Sequence, residues 1–302
     1  MTGGPRLTVG VPVRNGANFI RPALDSLLVQ TYRDFAVLVS DNASTDGTVA
    51  IVEEYMERHP NIHLQRHPVN IGAHRNYNAL VTASTGELFK WMAHDDLIAP
   101  TFLAECVARL DADPGASLAF ANSGQIDEEG RVTGDLASSE NYVDPSPYRR
   151  LRSYVADHTK IPQVFGVMRR SVLEATPLLG SYPKSDTVLM YEMAMRGRFA
   201  MVDEPLFLNR DHPSRQGRLG LRERTAWYHP DRSSPLLPRW NQLRGFTAAT
   251  LRVPMPASDK VRCVAFALWW GVRHGLELGG EIGFGLRQWL QRWRGGATRP
   301  AV

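Results

Sequence analysis

The apolar residues of this chain fall into short runs separated by amphipathic stretches, and the alternation is regular through the first 125 residues. Leu7 to Val13 reads as a strand, followed by a helical pattern from about Asn18 to Gln30. Phe35 to Ser40 is again apolar and β-branched, and Thr48 to His59 is helical. The strands Ile62 to Gln65, Leu88 to Ala93 and Leu118 to Ala121 continue the series, with helices at His74 to Ala83 and Pro100 to Leu110. Continuous apolar runs mark strands buried on both faces, and a 3.6-residue period marks the helices between them. This βαβα order predicts an α/β fold with a mostly parallel sheet flanked by helices.

Beyond residue 125 the pattern loosens. Asp127 to Pro147 is rich in Asp, Glu, Gly, Ser and Pro, and reads as a turn followed by a loop that could act as a flap. A helix is predicted at Thr187 to Arg196 and a strand at Arg198 to Val202. Asp211 to Pro256 is Arg- and Pro-rich and reads as irregular. A last helical segment runs from Asp259 to about Trp293, with glycines from Gly271 onward breaking or kinking it. The predicted organisation is a body over residues 1–210 and a C-terminal helical appendage over 211–302.

With 302 residues, 43% hydrophobic and 22% charged, the chain suits one large globular domain or one domain with an appendage. Its net charge of +4 hides an asymmetry: residues 1–204 hold 19 Lys+Arg against 25 Asp+Glu, and residues 205–302 hold 16 against 6. A basic, Trp-rich tail is either a solvated arginine face or a surface for an anionic membrane, an acidic acceptor or nucleic acid. Two distant cysteines, Cys106 and Cys263, indicate neither a disulfide framework nor a zinc site. The start lacks a signal-peptide pattern, and Val264 to Val272 is far shorter than the roughly 20 apolar residues that span a bilayer. A soluble or peripheral, cytoplasmic protein is expected.

Two stretches carry candidate chemistry. In VSDNASTDGT, residues 39–48, an apolar strand ends in Asp41 before a helix for which Ser44 or Asp46 is the candidate N-cap. Open α/β sheets place ligand contacts at such strand ends, so Asp41 either accepts hydrogen bonds from a ligand or caps the neighbouring helix. In FKWMAHDDLIAP, residues 89–100, a strand ends in the adjacent acids Asp95 and Asp96. Neighbouring carboxylates need a cation or a set of donors, which points to a divalent metal, or to the positive end of the following helix. Both acids lie at carboxyl ends of the same predicted sheet and can face one crevice.

With these pieces in place the sequence resembles the family 2 glycosyltransferases of the GT-A fold. The resemblance rests, in order, on VGVPVRNGANFIRPALDSLLVQTYRDF, VSDNASTDGT, NIGAHRNYNAL, STGELFKWMAHDD and KSDTVLMYEMAMRGRF, and covers about residues 7–210. It implies a nucleotide-diphosphate sugar donor and a hydroxyl acceptor on a cell-surface polysaccharide or glycolipid precursor. Pro12, Val13, Arg14 and Asn15 would line the nucleotide pocket, and Asp41 would accept a hydrogen bond from the nucleobase. Arg75 would contact phosphate, unless it is a plain surface arginine of its helix. Asp96 would hold Mn²⁺ or Mg²⁺, and Asp95 would touch ribose or metal. His212 would complete the metal or diphosphate site. Asp186 would be the base that deprotonates the acceptor in an inverting transfer, although it also suits the N-cap of its helix. Two departures stand out: Ala93 and Ser185 occupy positions where the family carries acids.

The processive Gln-x-x-Arg-Trp motif is absent, so transfer of one sugar per acceptor end is expected. A nucleotidyltransferase would need a Gly-rich, Arg-containing loop after the first strand, and a nicotinamide dehydrogenase a GxGxxG; VPVRNGANF is neither. A binding module without catalysis remains as a third reading. No nucleic-acid partner is expected. The tail gives a separate expectation, motivated by Trp269, Trp270, Trp289, Trp293, Arg287, Arg292 and Arg294, with Arg299 just beyond: residues 259–296 contact a membrane or pack on the protein itself or a second copy.

Overall fold

The structure is a computed structural model that describes residues 4–135, 142–156, 163–213, 215, 218 and 237–283. Strands β1 (Leu7–Val13), β2 (Phe35–Asp41), β3 (Ile62–Arg66) and β4 (Leu88–Trp91) alternate with helices α1 (Ile20–Leu28), α2 (Thr48–Arg58) and α3 (Ala73–Ala83). There follow β5 (Leu97–Ile98), α4 (Phe102–Ala112), β6 (Ala116–Ile126), β7 (Val132–Asp135), α5 (Pro147–Ala156) and β8 (Val167–Arg169). The chain continues through α6 (Arg170–Glu174), α7 (Ser185–Arg196) and β9 (Arg198–Arg210) to α8 (Pro238–Arg252) and α9 (Ala257–Arg273). After a break at His274, helical turns resume over 275–283.

The strands form one sheet in the order β3-β2-β1-β4-β8-β6-β9-β5, with β7 beside β6. β2, β1 and β4 pair in parallel, and β3 extends them. β8 is antiparallel to both β4 and β6, so β6 runs the same way as β4, and β9 is parallel to β6. Six strands, β1 to β4, β6 and β9, therefore point one way, and their carboxyl ends share one edge. All seven residues of β1 are buried, as a central parallel strand requires. Gly10 is needed there, because a Cβ would stand 3.0 Å from both Leu80 and Phe89.

The two faces of the sheet carry separate cores. One gathers Leu7, Val9 and Val11 with α1 and α4, and the other gathers Phe89, Trp91, Leu118 and Phe120 with α3 and α7. A third cluster joins α7 to the C-terminal helices: Tyr191 stacks on Phe246 at 4.2 Å, and Phe246 meets the edge of Trp270.

Several elements differ from expectation. β6 runs on to Ile126, past the predicted stop at Ala121, because β9 and β7 cover its polar end. β9 likewise continues to Arg210. The stretch read as irregular, 211–256, contains α8, a helix whose buried positions include Gln242 and Thr250 and so lack a clear apolar period. The loop expected over Asp127–Pro147 contains β7, and residues 136–141 of it lie outside the described residues. Among the described residues no helix is long and apolar enough to cross a membrane.

One core side chain has the wrong polarity for its place. Lys90 of β4 is completely buried; its ammonium donates to the carbonyl of Phe165 and lies 4.4 Å from the centre of the Phe102 ring and 5.5 Å from that of Phe207. Burial drives its pKa from 10.5 down to about 7. The unfolded chain then binds the proton more tightly than the folded one between about pH 7 and 10.5, so this site's share of stability rises with pH across that window, by up to about 1.4 kcal/mol per unit. Lys90→Met is expected to raise the melting temperature at pH 7 and to flatten that rise, read from unfolding curves at pH 7, 8 and 9. A variant that keeps the wild-type slope would show that the buried ammonium carries no such penalty.

Candidate active site

The shared edge of the six co-directional strands collects the residues singled out from the sequence. α7 precedes β9 and runs back against it, so the N-terminus of α7 faces the edge where β9 ends. Three turns at this edge are tied together. Asn15, just past β1, holds φ at +52°, and its side-chain oxygen accepts the Thr45 N–H at 2.8 Å. The Asn15 N–H donates to Ser44 Oγ at 2.9 Å, and the Gly16 N–H donates to Thr48 Oγ1 at 2.9 Å. Gly16 has no room for a side chain: a Cβ would lie 2.4 Å from the His94 ring. The turns after β1, β2 and β4 thus interlock.

Asp41 ends β2 and is 2% exposed. Both of its carboxylate oxygens accept the Ser44 N–H at 3.3 Å, a long, shared contact that leaves acceptor capacity. The N-cap of α2 is Gly47 and not Ser44 or Asp46, but Asp46 still serves the helix start, since its Oδ1 accepts the Thr48 N–H at 3.0 Å. Behind Asp41, Ser40 Oγ donates to Asn76 Oδ1 at 2.7 Å, and Asn76 Nδ2 donates to the Ser40 carbonyl at 2.9 Å, fixing α3 to β2. Pro12 and Val13 are buried strand residues, and the Val13 carbonyl accepts the Asn42 N–H at 2.9 Å. Arg14 and Arg75, the latter in the first turn of α3, are exposed.

The adjacent acids part company. Asp96 is 3% exposed, and its Oδ1 accepts both Asn209 Nδ2 and the Arg210 N–H at 2.9 Å. Burial, then the charge of Asp95, raises its pKa well above the carboxylate range. The expectation that Asp96 holds the metal sits against this geometry, because the carboxylate is turned into the protein to pin β9. Asp95 is the more accessible acid: its Oδ2 meets His212 Nε2 at 3.0 Å. Burial opposes its charge, but the His212 hydrogen bond and the nearby His94 outweigh it and hold Asp95 below the ordinary range. Burial also lowers the pKa of His94.

Arg210 completes this corner. Its Nε donates to the Asp95 carbonyl at 2.8 Å, and its Nη1 to the carbonyls of Asp127 and Glu128 at 2.8 and 2.7 Å. Its guanidinium lies 5.0 Å from the Phe19 ring centre, and the Phe19 ring lies 4.7 Å from that of His212. Sequence reading missed Arg210, Asn209 and Phe19. Only the proximity of Asn209-Arg210 to His212 in the chain could have drawn attention to them.

Asp186 occupies the first turn of α7, after Lys184 in a left-handed conformation, φ +65°. Its side chain is solvent-exposed, yet protein surrounds it, as for a group on the floor of an open cleft; that surrounding mass pushes its carboxyl upward from the ordinary range. The incoming loop is clasped to α3, with Asn78 Nδ2 donating to the Leu179 carbonyl at 2.9 Å and Asn78 Oδ1 accepting the Leu179 N–H at 3.1 Å.

Among the described residues no three His, Cys, Asp or Glu side chains converge to hold a metal by protein alone. The two donors that meet at this edge, the carboxylate of Asp95 and the imidazole of His212, are of the kind a divalent ion takes when phosphate oxygens and water supply its remaining ligands.

Comparison with known proteins agrees with this architecture. The sequence model for Glycosyl transferase family 2 matches residues 8–176. An uncharacterized glycosyltransferase of Rickettsia typhi is 34% identical over 99 residues, 33% of this chain and 30% of that protein. Chondroitin synthase of Pasteurella multocida is 23% identical over 157 residues, 52% of this chain and 16% of that protein. The chain thus spans under a third of the length of these relatives. Among solved structures, S. aureus TarS 1–349 in complex with UDP-GlcNAc superposes with a TM-score of 0.65 at 18% identity, covering 88% of this chain and 72% of that one. The mannosyltransferase PcManGT of Pyrobaculum calidifontis, in complex with GDP-Man and Mn²⁺, gives 0.52 at 19% identity over 96% and 81%. With the family matched over more than half its length and a curled α/β sheet of the GT-A kind, the chain belongs to glycosyl transferase family 2.

Proposed function

We propose that this chain moves a sugar from a nucleoside diphosphate sugar to an acceptor hydroxyl by a single inverting displacement. The observation that carries the reading is the convergence of Asp41, the Asp95–His212 pair and Asp186 on one edge of the sheet. The complexes of TarS with UDP-GlcNAc and of PcManGT with GDP-Man and Mn²⁺ support the donor class and leave the base open.

Asp41, with free acceptor capacity at a strand end, receives an N–H of the nucleobase, over the floor made by Pro12 and Val13. Arg14 and Asn15 border that pocket, and Arg75 offers a positive charge to the diphosphate. Asp95 and His212 would hold Mn²⁺ or Mg²⁺, which when bound neutralises charge on the departing nucleoside diphosphate. Asp96 positions this pair by fixing β9, and Arg210 by gripping the Asp95 carbonyl. Asp186 takes the proton of the acceptor hydroxyl as its oxygen bonds to the anomeric carbon and the bond to the diphosphate oxygen breaks. The acceptor is proposed to be a polysaccharide or lipid-linked precursor at the inner face of the membrane. Much of the region expected to meet it, His212 to Pro256, lies outside the described residues. Ala93 and Ser185, where acids are usual, favour one second reading: a module that binds the donor without turnover.

The two readings separate experimentally. UDP, GDP and their sugars are to be tested for a rise in melting temperature with and without Mn²⁺, since a ligand that binds only the folded state must stabilise it. A Mn²⁺-dependent rise with one base is expected, and Asp186→Asn is expected to retain it while losing about 10²-fold or more in turnover. Full turnover by that variant would remove Asp186 as the base, and a rise without any turnover would support the binding module.

The two neighbouring acids give a second contrast. Asp95→Asn and His212→Ala are expected to abolish the Mn²⁺-dependent part of the rise. Asp96→Ala is expected to lower stability by about 1–3 kcal/mol, because buried Asn209 and Arg210 donors lose their acceptor. Urea unfolding beside metal titration of the three variants reads both effects; metal binding lost only in Asp96→Ala would reverse the assignment.

A further inference from the structure

α9 is apolar on two opposite faces. Its inner face, Cys263, Ala267 and Trp270, packs in the cluster beneath α8. Trp270, expected from sequence either to meet a membrane or to pack on the protein itself, does the latter and is 6% exposed against Phe246. The outer face carries Val261, Leu268, Trp269 and Val272, exposed by 69, 62, 51 and 81%, and the stripe continues to Leu276, exposed by 95%. A surface helix should be polar on this side. The patch does not stop at α9: an open groove of about 350 Å³ lined by Trp240, Leu243, Arg244, Thr247, Ala248 and Leu251 lies on α8, and Leu243 also fits over Gly271 of α9. A contiguous apolar surface of this extent marks an interaction site.

Charge selects the occupant. The acids of this region are already partnered: Asp259 accepts from Ser146 Oγ, Glu281 accepts the backbone N–H groups of Arg239 and Trp240, and Glu277, half exposed, is paired with Arg239 and His274. The charges bordering the outer face are Arg262 and Arg273, both exposed, with Arg273 5.5 Å from the centre of the Trp269 ring, and Arg244 lines the groove. A two-fold contact between copies would set these arginines against each other with no acid on the patch to meet them. Residues 284–302, which follow directly, add four arginines and no acid in sequence. We propose that the outer face of α9 and the groove of α8 form a docking surface for an anionic lipid bilayer, with Leu268, Trp269, Val272 and Leu276 in the acyl boundary and Arg262 and Arg273 at the headgroups.

The inference stands apart from the sugar-transfer reading, and its test reads binding only. Full-length protein is to be sedimented with vesicles of pure phosphatidylcholine and with vesicles of phosphatidylcholine mixed with phosphatidylglycerol. Binding to the anionic vesicles, weakened at high salt, is expected. Val272→Glu/Leu276→Glu should lower the affinity at least tenfold, and Arg262→Glu/Arg273→Glu should remove the preference for phosphatidylglycerol. These positions are exposed, so unchanged melting temperatures will certify folding, and an unchanged nucleotide-induced rise will show the donor site intact. No sedimentation with anionic vesicles, or binding that both double variants leave untouched, would overturn the proposal. So would a wild-type dimer that Val272→Glu/Leu276→Glu converts to monomer, since the face would then belong to a second copy.

Discussion

The constraint on which this site depends is the burial of a carboxylate next to a second carboxylate. Asp95 and Asp96 are adjacent in the chain, and two ionised groups at that separation are costly unless each finds its own donors. The fold answers by sending them to different places. Asp96 turns inward to the side-chain amide of Asn209 and the backbone N–H of Arg210, and Asp95 stays at the cleft with His212. All three partners come from the end of β9 or just beyond it, so the strand must run the full thirteen residues to reach them. The short ladder of β5 with β9 closes the same corner from the other side.

That dependence explains which parts of the fold were legible. The first four strands and three helices follow from local pattern, because each strand is a continuous apolar run and each helix has one apolar face. The ends of β6 and β9 do not. Asn122, Ser123 and Gly124 look like turn residues, and only their pairing with Pro205, Phe207 and Leu208 makes them strand, while Asp203 and Glu204 form the irregularity where the two strands shift register. α8 was lost for a similar reason: Gln242 and Thr250 occupy buried positions on it, with Thr250 Oγ1 3.1 Å from the hydroxyl of Tyr191.

The candidate site divides along the same line. Asp41, Asn15 and Arg14 sit at the ends of strands that the sequence marks plainly, so their placement at one edge could be foreseen. The split between Asp95 and Asp96 could not, because it is decided by residues more than a hundred positions away. Arg210 escaped notice because an arginine inside a strand carries no motif; its meaning lies in the three carbonyls it satisfies and the Phe19 ring beneath it. Lys90 is the converse case, legible as an oddity in an apolar run, but buried in the core beneath the acids and away from the cleft.

α7 connects the two surfaces on which the functional reading rests. Its first turn presents Asp186 to the cleft, while Tyr191, one and a half turns later, stacks on Phe246 of α8. Glu192, buried beside it, pairs with Arg196 on its own helix and with Arg252 at the end of α8. Breaking a buried pair of this kind leaves an uncompensated charge, so the junction resists sliding or hinging more than an apolar contact of the same area would. Asp186 and the α8–α9 face are thereby joined through one helix and the cluster it packs in. A bilayer that held that face would fix the height and tilt of the cleft above the lipid, and an acceptor anchored in the same bilayer would arrive at Asp186 from a restricted direction. The specificity for acceptor could then reside partly in where the protein sits, and less in side chains that read the acceptor itself.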